Sequence, residues 1–483
     1  ILIWETQTRG TVLGLLAGFG VGFVWYAWKK RDNKKLRNIA IAGVALFFVV
    51  IGSFLSFKES NFVQGSPTLK RLADISLKEQ TVRSRVMIWN MSLEGVKERP
   101  LLGWGQDNFV YVFSAHYNPE MFDQEQWFDR SHNVFFDWLI AAGILGLAAY
   151  LALYGVLTYT VLKNKKQIFT TSEQSLILGL LVTYFVHNII VFDNLISYIG
   201  FFTLFAYVIT RAEVETLGKK DKKEEKPKEG TFWLIVFASM VLVGSIFYHV
   251  VWKPYKLNTA IITMYKVANG GDSATIRAAA QSLGQVALYG PTEANEQLLT
   301  LSGAVIRSDL SEADKQYFYA YTENVLKENF TNDPLNPRPA ALYASYLEGL
   351  GLNKESLPYY EYAAKLTPKK VLLLGSYAQA AAASGDSQTA ERIAEEAYTL
   401  APRSTDTAYL LASIKHFTGK DAEVPAIWAK TIEINKYSQE VLLKEILYYK
   451  KIGNSKEAQA AADRFAERFP ELKTDIQVFL EQK

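Results

Sequence analysis

"SYAQAAAASGDSQTAERIAEEAYTLAP", residues 376–402, decides the fold of the C-terminal half. Two alanine-rich stretches flank one glycine, Gly385, and a proline, Pro402, closes the second stretch. Small side chains let two helices close up, glycine makes the turn between them, and proline ends the second helix. Stepping outward by 34 residues brings the same landmarks back. Gly351, Gly419 and Gly453 share the register of Gly385, and Pro334, Pro368 and Pro470 share that of Pro402. Lys436 fills the one slot where a proline is missing.

A 34-residue period with these two landmarks is the signature of tetratricopeptide repeats. Residues 252–333 read as helical but degenerate, further divergent repeats, so 252–483 forms one helical domain. Upstream the chain changes character. Its 483 residues are 49% hydrophobic and suffice for two or three domains. A mean hydropathy near zero averages a membrane-like first half with a soluble tail. The formal net charge of +3 gives no reason to expect a nucleic-acid partner. The absence of cysteine excludes disulfides and thiolate-held metal. The chain opens "ILIWETQTRG", already apolar and without Met, and shows no signal peptide. We therefore expect further membrane segments upstream of residue 1.

Six apolar segments approach or exceed the length of a bilayer-crossing helix: 11–28, 38–57, 133–162, 174–192, 195–210 and 232–251. The fourth and fifth are separated only by "FDN", so they read either as two spans or as one re-entrant hairpin. Lys and Arg between the spans set the orientation. "KKRDNKKLR" (29–37), "KNKK" (163–166) and the basic tract 211–231 are expected inside. The domains then read as two transmembrane helices (1–57), an extracytoplasmic loop (58–132) and further transmembrane helices (133–210). A disordered charged cytoplasmic linker (211–231), a last span (232–251) and extracytoplasmic repeats (252–483) complete the chain.

In "TVRSRVMIWNMSLEGVKERP", residues 81–100, Val86, Trp89, Leu93 and Val96 recur at helical spacing and predict one apolar face. Arg85 and Trp89 are four apart and share a side. A surface helix with a snorkelling arginine explains this as readily as a functional one. Gly103 and Gly105, after Pro100, read as a loop reversal. His132 stands at the outer mouth of the third span with Asn133 beside it and Ser131 as the expected helix cap. Its neutral-range pKa suits a proton acceptor, though an interfacial histidine needs no such role. Arg9 lies where the first span meets the outer side, a costly place for a charge unless the side chain snorkels. His187, Asn188 and Asp193 either line a polar cavity or satisfy one another. Scattered histidines, no paired aspartates in the outer loop and no phosphate-binding glycine loop predict no metal, no cofactor and no nucleotide chemistry.

Three marks in order resemble the O-antigen ligase/polymerase superfamily of membrane glycosyltransferases. They are "TQTRG" opening a transmembrane helix, "SRVMIW…RPLLGWGQDNF", and "SHNVFFDWLIAAGILGL" entering the next one. The resemblance covers about residues 5–210, and a tetratricopeptide tail is a frequent attachment in bacterial members. It implies an all-α, polytopic, GT-C-like transmembrane bundle followed by a tetratricopeptide α-solenoid, in the bacterial cytoplasmic membrane. It also implies metal-independent transfer, on the outer face, from an undecaprenyl-pyrophosphate-linked glycan to a glycan, lipid or protein hydroxyl. Carried over by motif, Arg9, Arg85 and His132 take the catalytic places. Trp89, Gly103, Gly105, Asn133, His187 and Asp193 are candidate substrate contacts.

The chemistry is consistent with this. Breaking the anomeric C–O bond leaves charge on a pyrophosphate, and without a metal the forked guanidinium is the best-matched side chain. A neutral imidazole takes the acceptor's proton, and attack opposite the leaving group inverts the anomeric centre. Polymerase and ligase are not separable here. The repeats favour a large acceptor or a protein partner. The rival reading is a non-catalytic membrane scaffold with repeats for docking. A transporter ranks third, because it needs charges or broken helices at midplane depth.

Overall fold

The computed structural model describes residues 9–73, 80–124, 127–163, 168–217, 229–268, 291–306 and 310–481, with single positions 274, 278 and 282. Every regular element among them is a helix. They form two compact units, residues 1–113 with 127–226, and residues 114–126 with 227–483.

In the first unit α1 (Arg9–Lys29), α2 (Lys34–Ser56), α3 (Gln80–Glu98), α4 (Val134–Lys163), α5 (Thr171–Asn188) and α6 (Leu195–Leu217) carry the argument. Gly10, Gly14, Gly18 and Gly22 stand four apart and line one side of α1 against α5. A Cβ on Gly14 would lie 2.6 Å from the Thr183 carbonyl oxygen, and one on Gly18 would lie 2.4 Å from that of Gly179. Backbones this close associate by van der Waals contact, which suits lipid, where no hydrophobic force acts between helices.

Five described helices are long and apolar enough to cross a membrane: Gly10–Lys29, Lys34–Ser56, Val134–Lys163, Leu195–Glu213 and, in the second unit, Gly230–Lys266. The expected fourth span, 174–192, is not among them. Its place is taken by α5, a helix with polar ends that buries one side and leaves Leu176 and Leu180 exposed, and whose buried Gln174 donates to the Val161 carbonyl at 2.7 Å. The segment separated by "FDN" is nonetheless two helices, α5 and α6. The linker reading also needs correction at its start. Residues 211–217 continue α6, and Arg211 donates to the Ile168 carbonyl at 3.1 Å. Residues 218–228 lie outside the described chain. Beyond them Glu229–Ile246 runs through a π-helical turn, Phe247–Trp252, into Lys253–Ala268, so no helix end falls at 252.

The third span is not one continuous helix. Gly143 takes φ 63 and ψ −162 inside α4, and the "PLLGWG" turn is built into the break. In a regular helix the carbonyls of Ile140 and Ala141 would accept from the amides of Ile144 and Leu145. Here they accept instead from Trp104 N at 2.6 Å and Gly105 N at 3.0 Å, while Ile144 N donates to Pro100 O at 2.8 Å and Leu145 N to Leu101 O at 3.5 Å. All four groups freed by the break find partners, as burial in lipid demands. Gly103, at φ 70, is needed because a Cβ would lie 2.4 Å from the Ile140 carbonyl oxygen.

In the second unit the helix pairs run Pro337–Gly349 with Asn353–Leu366, Val371–Ala383 with Ser387–Leu400, Thr405–Phe417 with Val424–Ile434, and Gln439–Lys451 with Ser455–Arg468. The alanines of the opening stretch do what their size predicts: Ala378, Ala380, Ala381, Ala390, Ala394 and Ala397 are all fully buried. Gly351, Gly385, Gly419 and Gly453 turn the chain within pairs at φ 80, 88, 73 and 75. Each residue before a periodic proline, Asp333, Thr367, Ala401 and Phe469, has φ between −129 and −138, as proline requires of its predecessor. Where the proline is missing, Asn435 stays near helical and the next two residues, Lys436 and Tyr437, turn left-handed instead. The degenerate stretch supplies helices Pro291–Ile306 and Glu312–Asn332, with Leu298, Leu301 and Phe318 in a small core of their own.

Glu391, Glu395 and Glu423 meet in one place, and Lys415 Nζ sits among them, 2.6 Å from Glu395 and 2.7 Å from Glu423. Burial opposes the ammonium, but the three carboxylates outweigh it and raise the Lys415 pKa. The position a cation would take is filled by a side chain of the protein itself.

Candidate active site

Helix α3 turns a different face inward from the one its periodicity predicts. Ser84, Met87, Ile88, Met91, Ser92 and Gly95 are buried, whereas Val86 and Leu93 are 41% and 42% exposed. Gly95 lets Val112 approach, and the Trp104 indole donates to the Gly95 carbonyl at 2.8 Å, so these contacts select the inner face. Arg85 and Trp89 lie on the flank between the two. Trp89 stacks on Phe136 and its indole N–H donates to the Ser131 carbonyl at 3.1 Å. One helix thus supplies the arginine and pins the corner that carries the histidine.

That corner is tied down on both sides of His132. Ser131 is fully buried, and its amide and hydroxyl both donate to Asp137 Oδ1, at 2.8 and 2.6 Å. The helix cap is Asn133, not Ser131 as expected: Asn133 Oδ1 accepts from the amides of Phe135 and Phe136. His132 itself takes φ 55, a left-handed conformation rare for a side-chain-bearing residue. Its ring lies edgewise between Phe128 and Phe192, with centroids 5.6 and 5.3 Å away. Burial first, and then the nearby charge of Arg85, lower its pKa, while Asp129 acts the other way. A neutral imidazole beside a permanent cation can accept a proton while the cation holds an anion.

Next to the corner opens a cleft of about 370 Å³, lined by Gln106, Arg130, Asp137, Trp138, Asp193 and Tyr198 among others. Arg130 pairs with Asp107 at 2.7 Å. Asp193 accepts from Tyr150 at 3.1 Å, Ser197 at 2.9 Å, Asn188 at 3.3 Å and Tyr184. Asn188 thus donates to Asp193 through its Nδ2, its buried Oδ1 accepts from no described residue, and Asp193 also reaches the cleft. His187 is elsewhere, 3.4 Å from Thr11 Oγ1 in the contact of α1 with α5. Arg9 begins α1, so its backbone is two residues from Thr11, and its side chain lies outside the description. Gly103 and Gly105 serve the clasp on α4. Sequence reasoning missed Asp137, Arg130 and Asp107. The Ser131-to-Asp137 spacing across a helix start was the only local hint.

Residues 1–151 match the family model of the O-antigen ligases. The match runs from the start of the chain through α3, the His132 corner and the first half of α4, and it supports a membrane glycan-transfer enzyme in broad terms. No curated protein matches the chain. Two of the solved structures that resemble it do so loosely. One is a thermophilic TPR protein of Thermus thermophilus, at 16% identity and TM-score 0.26, covering 38% of this chain and 96% of its own. The other is yeast Tom70, at 13% identity and TM-score 0.29, covering 93% of this chain and 87% of its own.

Proposed function

We propose that the protein transfers or polymerises a glycan from an undecaprenyl-pyrophosphate donor onto a hydroxyl acceptor, without a metal and with inversion. The observation that carries this is His132, its pKa lowered by burial and by the nearby charge of Arg85, on a corner tied down by Trp89, Asp137 and Asn133. Arg85, with Arg9, grips the pyrophosphate and stabilises the charge that grows on it as the anomeric bond breaks. His132 removes the acceptor hydroxyl's proton, and its lowered pKa keeps it unprotonated near neutrality. The cleft beside the corner offers carboxylates and an indole to sugar hydroxyls and ring faces.

The site lies on the outer face of the cytoplasmic membrane, and the repeats lie on that side too. Residues 114–126 of the outer loop belong to the same compact unit as the repeats, which supports this sidedness. The chain is free of cysteine, so Asp123→Cys and Lys354→Cys give clean sites for a membrane-impermeant thiol reagent. Labelling of only one of them in intact cells overturns the arrangement.

The decisive assay is product formation by purified protein with lipid-linked donor in EDTA. Arg85→Lys keeps charge and stem but loses the fork, and transfer falls about tenfold or more. His132→Ala abolishes transfer while donor binding persists. Wild-type rates in His132→Ala at matched protein level end the catalytic reading and leave the scaffold.

A further inference from the structure

The repeat period places Asn336, Lys370, Ser404 and Ser438 in one register, each at the N-cap of the first helix of its pair. Asn336 caps by accepting from Arg338 N, and Ser404 by accepting from Thr407 N, while Ser438 makes no side-chain cap bond but is of a cap-forming type. Lysine is the misfit, because its side chain accepts nothing and its charge opposes the helix dipole. It is also almost fully buried, at 2% exposure. Burial, and secondarily Arg338, bring its pKa down to about 6.

The repeats depart from their own rule at the place where another segment meets them. Lys370 Nζ lies over the ring of Tyr117, 5.2 Å from its centroid. Tyr117 is 1% exposed, and Met121, four residues on, is fully buried. Between them Asn118 caps a 3-10 turn, Pro119–Met121, and Phe122 packs against the core of the repeats. Residues 114–124 are thus a folded plug of the repeat unit, though they are covalently part of the outer loop. Eight residues after the plug ends comes His132.

We propose that the repeat domain grips residues 114–124 through Lys370 and Tyr117, and that this grip is a positioning device for His132. The repeats then serve the reaction from within the chain, whatever else they bind. The grip stands on its own observations, and only its purpose rests on the catalytic reading above.

The test uses the full chain in detergent or nanodiscs, with two readouts that do not need turnover. Lys370→Ser restores the cap the period calls for, so the repeats stay folded, while the contact to Tyr117 is lost. Hydrogen exchange of amides 114–124 then rises about tenfold or more, and exchange within the flanking repeats does not. The rate at which diethylpyrocarbonate modifies His132 changes about threefold or more. Reciprocally, Tyr117→Ala raises exchange at Val371–Leu374, some 250 residues away in sequence, and Tyr117→Phe changes neither readout. Unchanged exchange in both Lys370→Ser and Tyr117→Ala overturns the grip, whether or not the protein transfers glycan. Faster exchange with unaltered His132 modification overturns the positioning role. Failure of transfer by the wild type sinks the proposed reaction and leaves both readouts intact.

Discussion

At Gly351, Gly385, Gly419 and Gly453 an added methyl group would meet nothing within 4 Å, and the position asks only for a left-handed backbone. At Gly14, Gly18, Gly103 and Gly143 the same methyl would lie between 2.0 and 2.6 Å from other atoms, mostly backbone. The repeats are built in water, where burial of apolar side chains drives helices together and glycine only steers the chain. The membrane unit has no such drive between its helices. It relies on backbones that touch, and glycine is where they touch.

The sharpest way to break this contrast is the clasp. Gly143→Ala and Gly103→Ala each combine a left-handed backbone with a backbone clash. Each is expected to cost on the order of 4 kcal/mol or more, seen as loss of the folded species in thermal unfolding of purified protein. A cost below about 1 kcal/mol in both would mean the turn merely rests on α4. Gly18→Ala comes next, at about 2–3 kcal/mol, because its helical backbone tolerates alanine and only the approach to Gly179 and Thr183 suffers. Gly385→Ala should cost only about 1 kcal/mol, and Gly385→Asn less, since asparagine tolerates the left-handed region. Equal losses at Gly385 and Gly18 would erase the distinction.

The same contrast governs how far the fold could be read ahead. Periodic glycine and proline announce a repeat because each acts on its own neighbours, and local causes leave local traces. The stripe Gly10, Gly14, Gly18 and Gly22 was equally visible, yet it has meaning only through α5, some 160 residues away. The break at Gly143 has its cause at Leu101, and nothing near "IAAGILG" shows it. Within the candidate site, Arg85 and His132 were legible as residue types in a motif order. The capping role of Asn133 and the hold of Asp137 on Ser131 were not, because they arise from the angle at which the chain enters α4. The inward face of α3 was misread for a related reason. Val86 and Leu93 are apolar, but they are exposed, because the contacts of Gly95 and Met87 set which face of α3 turns inward.

The smallest expected effect concerns charge. Around Lys415 carboxylates hold a cation in its charged form, whereas at His132 burial and Arg85 both disfavour the imidazolium. Under the proposed reaction the acid limb of transfer against pH is therefore expected below 6.5. Removing the arginine's charge in Arg85→Gln is expected to move the residual activity's limb upward, and Asp129→Asn to move it downward. A limb that moves the other way in either variant would show that the two side chains do not sense each other.

The broken span also bears on how the chain is made. Residues 100–105 leave the ribosome some forty residues ahead of 140–145. In the broken form, without the earlier stretch docked, the carbonyls of Ile140 and Ala141 and the amides of Ile144 and Leu145 have no partners, and lipid offers none. The third span must then either enter the bilayer as a plain helix and open later around the turn, or wait at the translocon until the turn arrives. In the second case the loop 58–132 is an early participant in inserting α4, and a lesion in "PLLGWG" would surface first as a failure of biogenesis.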